Sequence, residues 1–451
     1  MNALCSRRYV ACLLQQCRTL TTMKTSSLFI RGKDARDRRA LVLPHLEIDK
    51  ILGDIPAIER TLRARNIELD VSQVSTKLPS LRIVKNELKR VQLSMLELAR
   101  KLDAGGAGQA EDKAKTDAET KSQLETYYKT EREVKQSLYA KEEEIVPVLL
   151  KIPNFIRTPS EKILALCKEY GTKPQLDFEP APHMDIGSKD FIWRSHPRLC
   201  YLKNKPALLE LGIAKYFCTK LQNAGIVPLS GPDIVVDTVV EGCGLNPNNL
   251  DYTIAMESKL HSGGHHFHLV GASALESFAA YFTRRLVKDL PLKHYALGRL
   301  YVPESNALLP GLLSLTQSSR ITYFCACEND AMHALEEMLL NVKLWYEELE
   351  IPFKLTLVEP PDLDFIDSME VSIDVWSPSL NVYVPCGFLS LQDDFVSRRL
   401  IIAHGDKRDD SDFVHTLFGS LVNIHSLVAC IMENRQNKDK TFIIPESLKF
   451  C

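Results

Sequence analysis

The chain has 451 residues, enough for two or three domains, and its 45% apolar and 25% charged side chains are those of an ordinary globular protein. A formal net charge of -2 excludes a global attraction to nucleic acid, so any RNA contact has to come from local patches. Twelve cysteines without a repeated C-x-x-C framework point to free thiols in a reducing compartment, and no run of roughly 18 apolar residues is present to span a membrane.

The first 33 residues carry six basic side chains (Arg7, Arg8, Arg18, Lys24, Arg31, Lys33), no acid, and many Ser, Thr and Leu. That is the pattern of a mitochondrial presequence, so residues 1–40 are read as a leader and disordered segment. Residues 41–71 are expected to be helical. From Leu81 the apolar positions run Leu81, Val84, Leu88, Val91, Met95, Leu98, Leu102, a coiled-coil seam. The stretch Ala104–Gln109 (AGGAGQ) breaks it, because consecutive glycines disfavour a helix interior. A second seam follows at Leu124, Tyr127, Val134, Leu138, Ile145 and Val148, interrupted by Glu131 and Lys141 and limited by Pro147 and Pro153. Two helices joined by a glycine-rich tip predict an antiparallel hairpin, giving a helical arm over 41–155. Residues 156–198 form a linker. Beyond it, β-rich runs (Phe267–Val270, Ile321–Cys325, Val371–Trp376, Leu400–Ala403, Phe442–Ile444) alternate with amphipathic stretches (Ala207–Ala224, Ala331–Leu349, Phe413–Asn434). This predicts an α+β domain on an antiparallel sheet over 199–451.

The linker reads LLKIPNFIRTPS (Leu149–Ser160) and then YGTKPQLDFEPAPHMDIG (Tyr170–Gly187). With the arm before it, this resembles the seryl-tRNA synthetase family, in which such a turn leads from a coiled-coil arm into a class II catalytic core. Leu199–Val235 looks like the segment holding motif 1, with Pro232 as its proline. Trp376–Tyr383 (WSPSLNVY), Asp393–Leu400 (DDFVSRRL), His415–Ser420, Cys430–Gln436 and Ile444–Leu448 resemble later family segments in the right order. The resemblance covers nearly everything after residue 45. It implies a class II synthetase-like antiparallel sheet core with an N-terminal antiparallel coiled-coil arm.

Serine activation in that family needs cations on the ATP phosphates and carboxylates for the serine ammonium and magnesium. The resemblance places the motif 2 arginine at Val302, with Glu304 retained. A second arginine falls on Ser314 and a histidine on Thr316, with Gln317 retained. The motif 3 arginine falls on Ser426, and the adjoining His425 replaces a small residue. The serine-gripping Thr-x-Glu falls on Ser273–Leu275, with Glu276 one residue away. A further carboxylate falls on Pro385 and an asparagine on Leu391, while Ser390 is retained. The chain is therefore expected to be a pseudoenzyme with no catalytic residues and no cofactor. It looks most like a non-aminoacylating mitochondrial paralogue within the family.

In the family the arm grips the long variable arm of tRNA for serine. Arg82, Lys85 and Lys89 on one face of the first arm helix, with Arg100, Lys101, Lys113 and Lys115 near the tip, are the candidate RNA contacts. Interspersed acids leave a solvated helix face as the other reading. Leu209, Ile213, Phe217 and Pro232 are the expected dimer contacts, the partner being a second copy or a mitochondrial seryl-tRNA synthetase. His261, His265, His266 and His268 can be read as a metal site or as a Gly-rich hairpin loop, and the loop reading is adopted, with no metal. Cys325, Cys327 and Cys451 are taken as structural or incidental. The function expected is binding of tRNA and of a protein partner in the mitochondrial matrix. The alternatives are a pure protein scaffold or a site rebuilt for another small ligand.

Overall fold

The heptad stretch folds as one helix, α1 (Ser72–Ala104, 33 residues), followed by a second, α2 (Ala110–Leu149, 40 residues). These come from a computed structural model that describes residues 26–29, 42, 44–46, 48, 52–104, 110–193, 196–249, 253–256, 266–303, 309–405 and 412–449. The two helices belong to a unit made of Glu47–Glu59 and Glu68–Ile152. Lys77 of α1 meets Glu144 of α2 at 3.0 Å, and Gln92 meets Glu131 at 3.2 Å, so the helices run antiparallel. Leu81, Val91, Val134, Leu138 and Ile145 of the two seams are buried, while Ile83, Leu93 and Leu96 beside them are exposed, as a narrow apolar stripe dictates. The glycine tip at 105–109 lies outside the described residues. Pro147 sits inside α2 rather than ending it, and the helix stops at Leu149. A proline this close to the C-terminus removes one hydrogen bond from a helix that is about to end.

The other unit comprises Met1–Leu46, Arg60–Ile67 and Pro153–Cys451. The strands of its largest sheet are β1 (Glu169–Tyr170), β2 (Val227–Pro228), β3 (Leu292–Tyr301), β4 (Gln317–Cys327), β5 (Phe353–Leu357), β6 (Met369–Ser377), β7 (Val382–Asp393) and β8 (His415–Asn423). They form one sheet in the order β1-β5-β6-β7-β8-β4-β3-β2, antiparallel except where β2 lies parallel to β3. Side chains alternate along β4. Ile321, Tyr323, Cys325 and Cys327 enter a core shared with α3 (Asn204–Asn223), α5 (Met332–Glu347) and α6 (Ile424–Asn434). Phe324 and Ala326 enter a second core with α4 (Leu275–Phe282) and the short helix Asp237–Gly242. Helices cover both faces, so the central strands are apolar at nearly every position instead of alternating with polar residues.

That double burial explains one misreading. Phe413–Asn434 reads as a single amphipathic helix, but His415–Asn423 is the central strand β8 and only Ile424–Asn434 is helical. A strand buried on both faces has no period-2 signature to separate it from a buried helix. Likewise Leu400 ends the helix Phe395–Leu400, with only Ala403–His404 extended, and Phe442 makes a single bridge to Gln436.

The expected dimer contacts also need correction. Leu209, Ile213 and Phe217 of α3 are fully buried in the chain's own core. Spaced four apart, they form the inward stripe of the helix. The exposed apolar side chains of α3 are Leu208 and Leu211, about 140–160° around the axis from the centre of that stripe, on the opposite side of the helix. Pro232 is exposed.

Candidate functional site

Strands β3 and β4 pair from Leu292–Ala326 to Tyr301–Gln317, which puts the 302–316 connection at one end of the sheet. Val302 is half-buried, and its N–H donates to the Thr316 carbonyl at 2.8 Å. Thr316 in turn donates from its N–H and Oγ1 to the Arg198 carbonyl, at 3.4 and 3.5 Å. Ser314 closes a single 3-10 turn, Gly311–Ser314, and Gln317 is half-buried opposite Tyr301. Glu304 lies outside the described residues. At the neighbouring strand end, Asn423 caps α6 by accepting from the Ser426 N–H, and Ser426 is buried. Leu275 is buried as the first residue of α4. Leu391 is fully buried between Met369 and Leu417, while Pro385 stands exposed opposite Asp374. Buried Ser390 donates to the Phe418 carbonyl and accepts from Gln392 at 2.6 Å.

Around Ser426 the structure assembles a polar cluster that pattern reading saw only in His425. The His425 Nδ1 accepts from the Ser319 N–H at 3.1 Å, and its Nε2 lies 3.9 Å from Glu210 on α3. Arg299 donates to Ser319 Oγ at 2.6 Å, and that hydroxyl donates to Glu210 Oε1 at 2.6 Å. Burial pushes the His425 pKa down to about 4; Glu210 opposes this, and Arg299 and Arg320 reinforce it. The imidazole is thus neutral at pH 7 and acts as an acceptor. Arg299 of this cluster is held by Ser319 and, at 3.8 Å, by Glu210. No spacing signal links residues 210, 299, 319 and 425, because they meet only across four elements, α3, β3, β4 and α6.

Beside this end, the second face of the sheet is filled rather than open. Phe324 stacks with Phe278 and Phe282 at centroid distances of 5.4 Å, and Phe418 packs on Phe278 and Phe388. Ser273, in the segment that should grip an amine, donates its hydroxyl to the Arg299 carbonyl at 2.8 Å. The backbone runs so close here that a Cβ on Gly271, whose φ is +106°, would meet the Arg299 carbonyl oxygen at 2.0 Å. Half-buried Glu276 has its carboxyl pushed above the ordinary range by burial, with Asp364 adding to the effect. Hollows of about 200 and 260 Å³ are present, the first lined by Tyr281, Arg285 and His294 among others and the second by Gly171, Glu347 and Phe353 among others. Neither is lined by the lost family positions.

Of the histidine cluster, His261 and His265 lie outside the described residues. His268 sits buried in the strand Phe267–Leu269, and neither ring nitrogen has a hydrogen-bond partner. Burial lowers its pKa, so it is a neutral packed side chain. Among the described residues, one group of side chains converges as metal ligands do. Asp364, Asp367 and Glu370 bring oxygens within 4.8 Å of one another. Burial pushes the Asp364 and Asp367 carboxyls up to about 6 and about 7. Arg65, also buried, donates to the backbone carbonyls of Asn154, Asp364 and Asp367. Its guanidinium supplies one positive charge, and protons on these acids relieve the remainder.

Comparison with known proteins places this geometry. The tRNA synthetase class II core domain (G, H, P, S and T) matches residues 265–435. The serine–tRNA synthetase-like protein Slimp of Drosophila melanogaster is 24% identical over 433 residues, covering 91% of this chain and 89% of that protein. The mitochondrial serine–tRNA ligase of Mus musculus is 25% identical over 443 residues, covering 90% of this chain and 83% of the ligase. This chain is similar over most of its length to seryl-tRNA synthetases. The crystal structure of seryl-tRNA synthetase from Pyrococcus horikoshii complexed with ATP superposes with a TM-score of 0.70 at 18% identity, covering 89% of this chain and 97% of that one. The fold is therefore the class II core.

The family-like segments can now be given work in this chain. Glu433 accepts from His183 Nδ1 at 2.7 Å, from the His183 N–H at 3.0 Å and from Ser377 Oγ at 2.5 Å. The other His183 nitrogen accepts from the Leu312 N–H at 3.2 Å. Asn434 donates to the Trp376 and Cys430 carbonyls. These segments thus hold linker, sheet and α6 together, while the positions that the resemblance assigns to chemistry carry Val302, Ser314, Pro385 and Ser426. Among the described residues no helix is long and apolar enough to cross a membrane.

Proposed function

We propose that this chain is a catalytically silent paralogue of seryl-tRNA synthetase that works in the mitochondrial matrix, binding tRNA, with tRNA for serine foremost, and pairing with a second subunit. The observation that carries this reading is the coincidence of four neutral side chains, Val302, Ser314, Pro385 and Ser426, at positions where the family needs charge. One missing phosphate-clamping arginine or pre-organised donor costs about 10²–10⁵ in rate. Three arginine positions are neutral here, Val302, Ser314 and Ser426, and Arg299 of the neighbouring cluster is bound to Glu210 and Ser319. The polar cluster around buried His425 and the aromatic packing on the second face of the sheet support the same reading. The basic leader and the mitochondrial relative support the location.

The expected result is no serine-dependent ATP–pyrophosphate exchange and no change in the unfolding midpoint with ATP and magnesium. A ligand that binds only the native state raises its stability by mass action, so a saturable upward shift with ATP would refute the proposal.

For tRNA, the basic face of α1 is the candidate. Arg82, Lys89 and Arg100 are exposed and Lys85 is half-buried, whereas the side chains of Lys101, Lys113 and Lys115 lie outside the described residues. Reversing Lys85 and Lys89 to Glu is expected to weaken binding of mitochondrial tRNA roughly tenfold or more and to flatten its salt dependence by about two contacts. The melting temperature should hardly move, since neither side chain is buried. Equal binding by the reversed arm would leave the pure-scaffold reading in its place.

For the partner, apolar side chains stand exposed at Leu199, Tyr201, Leu208, Leu211, Val227 and Leu297. Where such side chains form one contiguous patch, they mark an interaction surface. The first candidate to cover them is a mitochondrial seryl-tRNA synthetase subunit, and the second is another copy of this chain.

A further inference from the structure

Four residues inside the stretch that reads as a leader are built into the fold. Ser26–Phe29 lies against the helix Asp237–Gly242. Ser26 Oγ donates to Glu241 Oε1, and the N–H groups of Ser27 and Leu28 donate to Glu241 Oε2, at 2.5 and 3.0 Å for the latter two. Ser27 Oγ donates to Asp237 Oδ2 at 2.8 Å. The turn is closed by Ser26 Oγ, which accepts from the N–H groups of Leu28 and Phe29 at 3.2 and 3.0 Å. Leu28 is 1% exposed, as deeply placed as the sheet core.

The receiving surface needs this segment. Asp237 is 2% exposed, and burial raises the Glu241 carboxyl, opposed chiefly by the three bonds from Ser26, Leu28 and Ser27. The cation that acts on Glu241 is Arg399, itself buried, stacked 3.4 Å from the Phe395 ring centroid and donating to the Phe395 carbonyl. Removing Ser26–Phe29 would take four donors at once from buried Asp237 and half-buried Glu241 and uncover the site of Leu28. Carboxylates are held in an interior only while their acceptor capacity is satisfied.

We infer that Ser26–Phe29 is a permanent strap of the folded protein, and that removal of the leader stops before Ser26. The cut is hydrolysis of one peptide bond by a processing peptidase, water completing the new carboxyl and amino ends. The position of the cut rests on the mitochondrial reading above, whereas the strap does not.

Two measurements on the full chain test it. In hydrogen exchange read by mass spectrometry, the Ser27 and Leu28 amides should exchange roughly 100-fold or more slowly than in an unstructured chain. Glu241→Ala should release that protection while β4 keeps its own, which separates loss of the strap from loss of the fold. Exchange of these amides at the free-chain rate in the unaltered protein would overturn the strap. The second measurement is the N-terminus of the chain recovered from mitochondria. A start at or before Ser26 is expected, and a start at Ser27 or beyond overturns the inference. An uncut chain with protected Ser27 and Leu28 amides upholds the strap and defeats the leader reading instead.

Discussion

Replacing Glu433 with alanine is expected to destabilise the sheet-bearing unit by about 3–5 kcal/mol, the cost of breaking a buried, multiply bonded carboxylate. Glu433 is 1% exposed and its two oxygens accept from the His183 ring, the His183 N–H, Ser377 Oγ and, at 3.4 Å, the Ser379 N–H. Burial by itself would raise its pKa, but the bonds from His183 and Ser377 outweigh that and hold it below the ordinary value, so the group is ionised at pH 7. Alanine would leave His183, which is fully buried, and Ser377 without their shared acceptor and would loosen the Leu312 turn that leans on His183. All three tryptophans, Trp193, Trp345 and Trp376, lie in this unit, so denaturant unfolding followed by their fluorescence reports it directly. Lys440→Ala is the control. Its bond to Asp185 is exposed, and such pairs contribute about 0–1 kcal/mol. If Glu433→Ala cost no more than the control, the anchoring role assigned here would be wrong.

A second large effect is expected from acid. The folded pKa of His425, about 4, lies below the ordinary 6.5. Between those values the unfolded chain takes up a proton that the folded chain refuses. Stability contributed by the neutral, hydrogen-bonded imidazole is therefore complete above pH 6.5 and is lost progressively down to about pH 4. The loss amounts to at most about 3 kcal/mol. Glu210, Arg299 and Arg320 face the ring, and the two arginines oppose its protonation. Asp364 and Asp367 act in the opposite sense, because their raised pKa values favour the folded state as pH falls. The difference between the native chain and His425→Gln isolates the histidine. The variant should lose the acid-lability across this window while its amide oxygen can still accept from the Ser319 N–H. Parallel stability–pH curves for the two proteins would refute the assignment.

Much of this molecule was legible in the chain itself wherever the signal is local. The 3–4 spacing from Leu81 to Leu102 determined a long helix with one apolar stripe, because on a helix that spacing leaves no other face to bury. The glycines at 105 and 106 and the second stripe determined that another helix follows. The ordered segments from Leu149 to Leu448 determined the class II core, since together their identities and intervals are specific even where each alone is weak. The same segments located the neutral residues at Val302, Ser314, Pro385 and Ser426.

What tertiary structure decided is which side chains meet, and this depends on elements far apart in sequence. Burial of β8 on both faces erased the pattern that separates a strand from a helix, so only its pairing with β4 and β7 made His415–Asn423 a strand. The stripe Leu209, Ile213, Phe217 is apolar whether it meets a partner or the chain's own core. The packing of α3 turned it inward and left Leu208 and Leu211 outside. His183 and Glu433 are 250 residues apart, and Arg65 and Asp367 are 302 apart, distances across which no periodicity carries information. Ser26–Phe29 reads as leader by composition, yet Glu241 holds it, because a carboxylate partly withdrawn from water takes its donors from whichever segment the fold brings within reach.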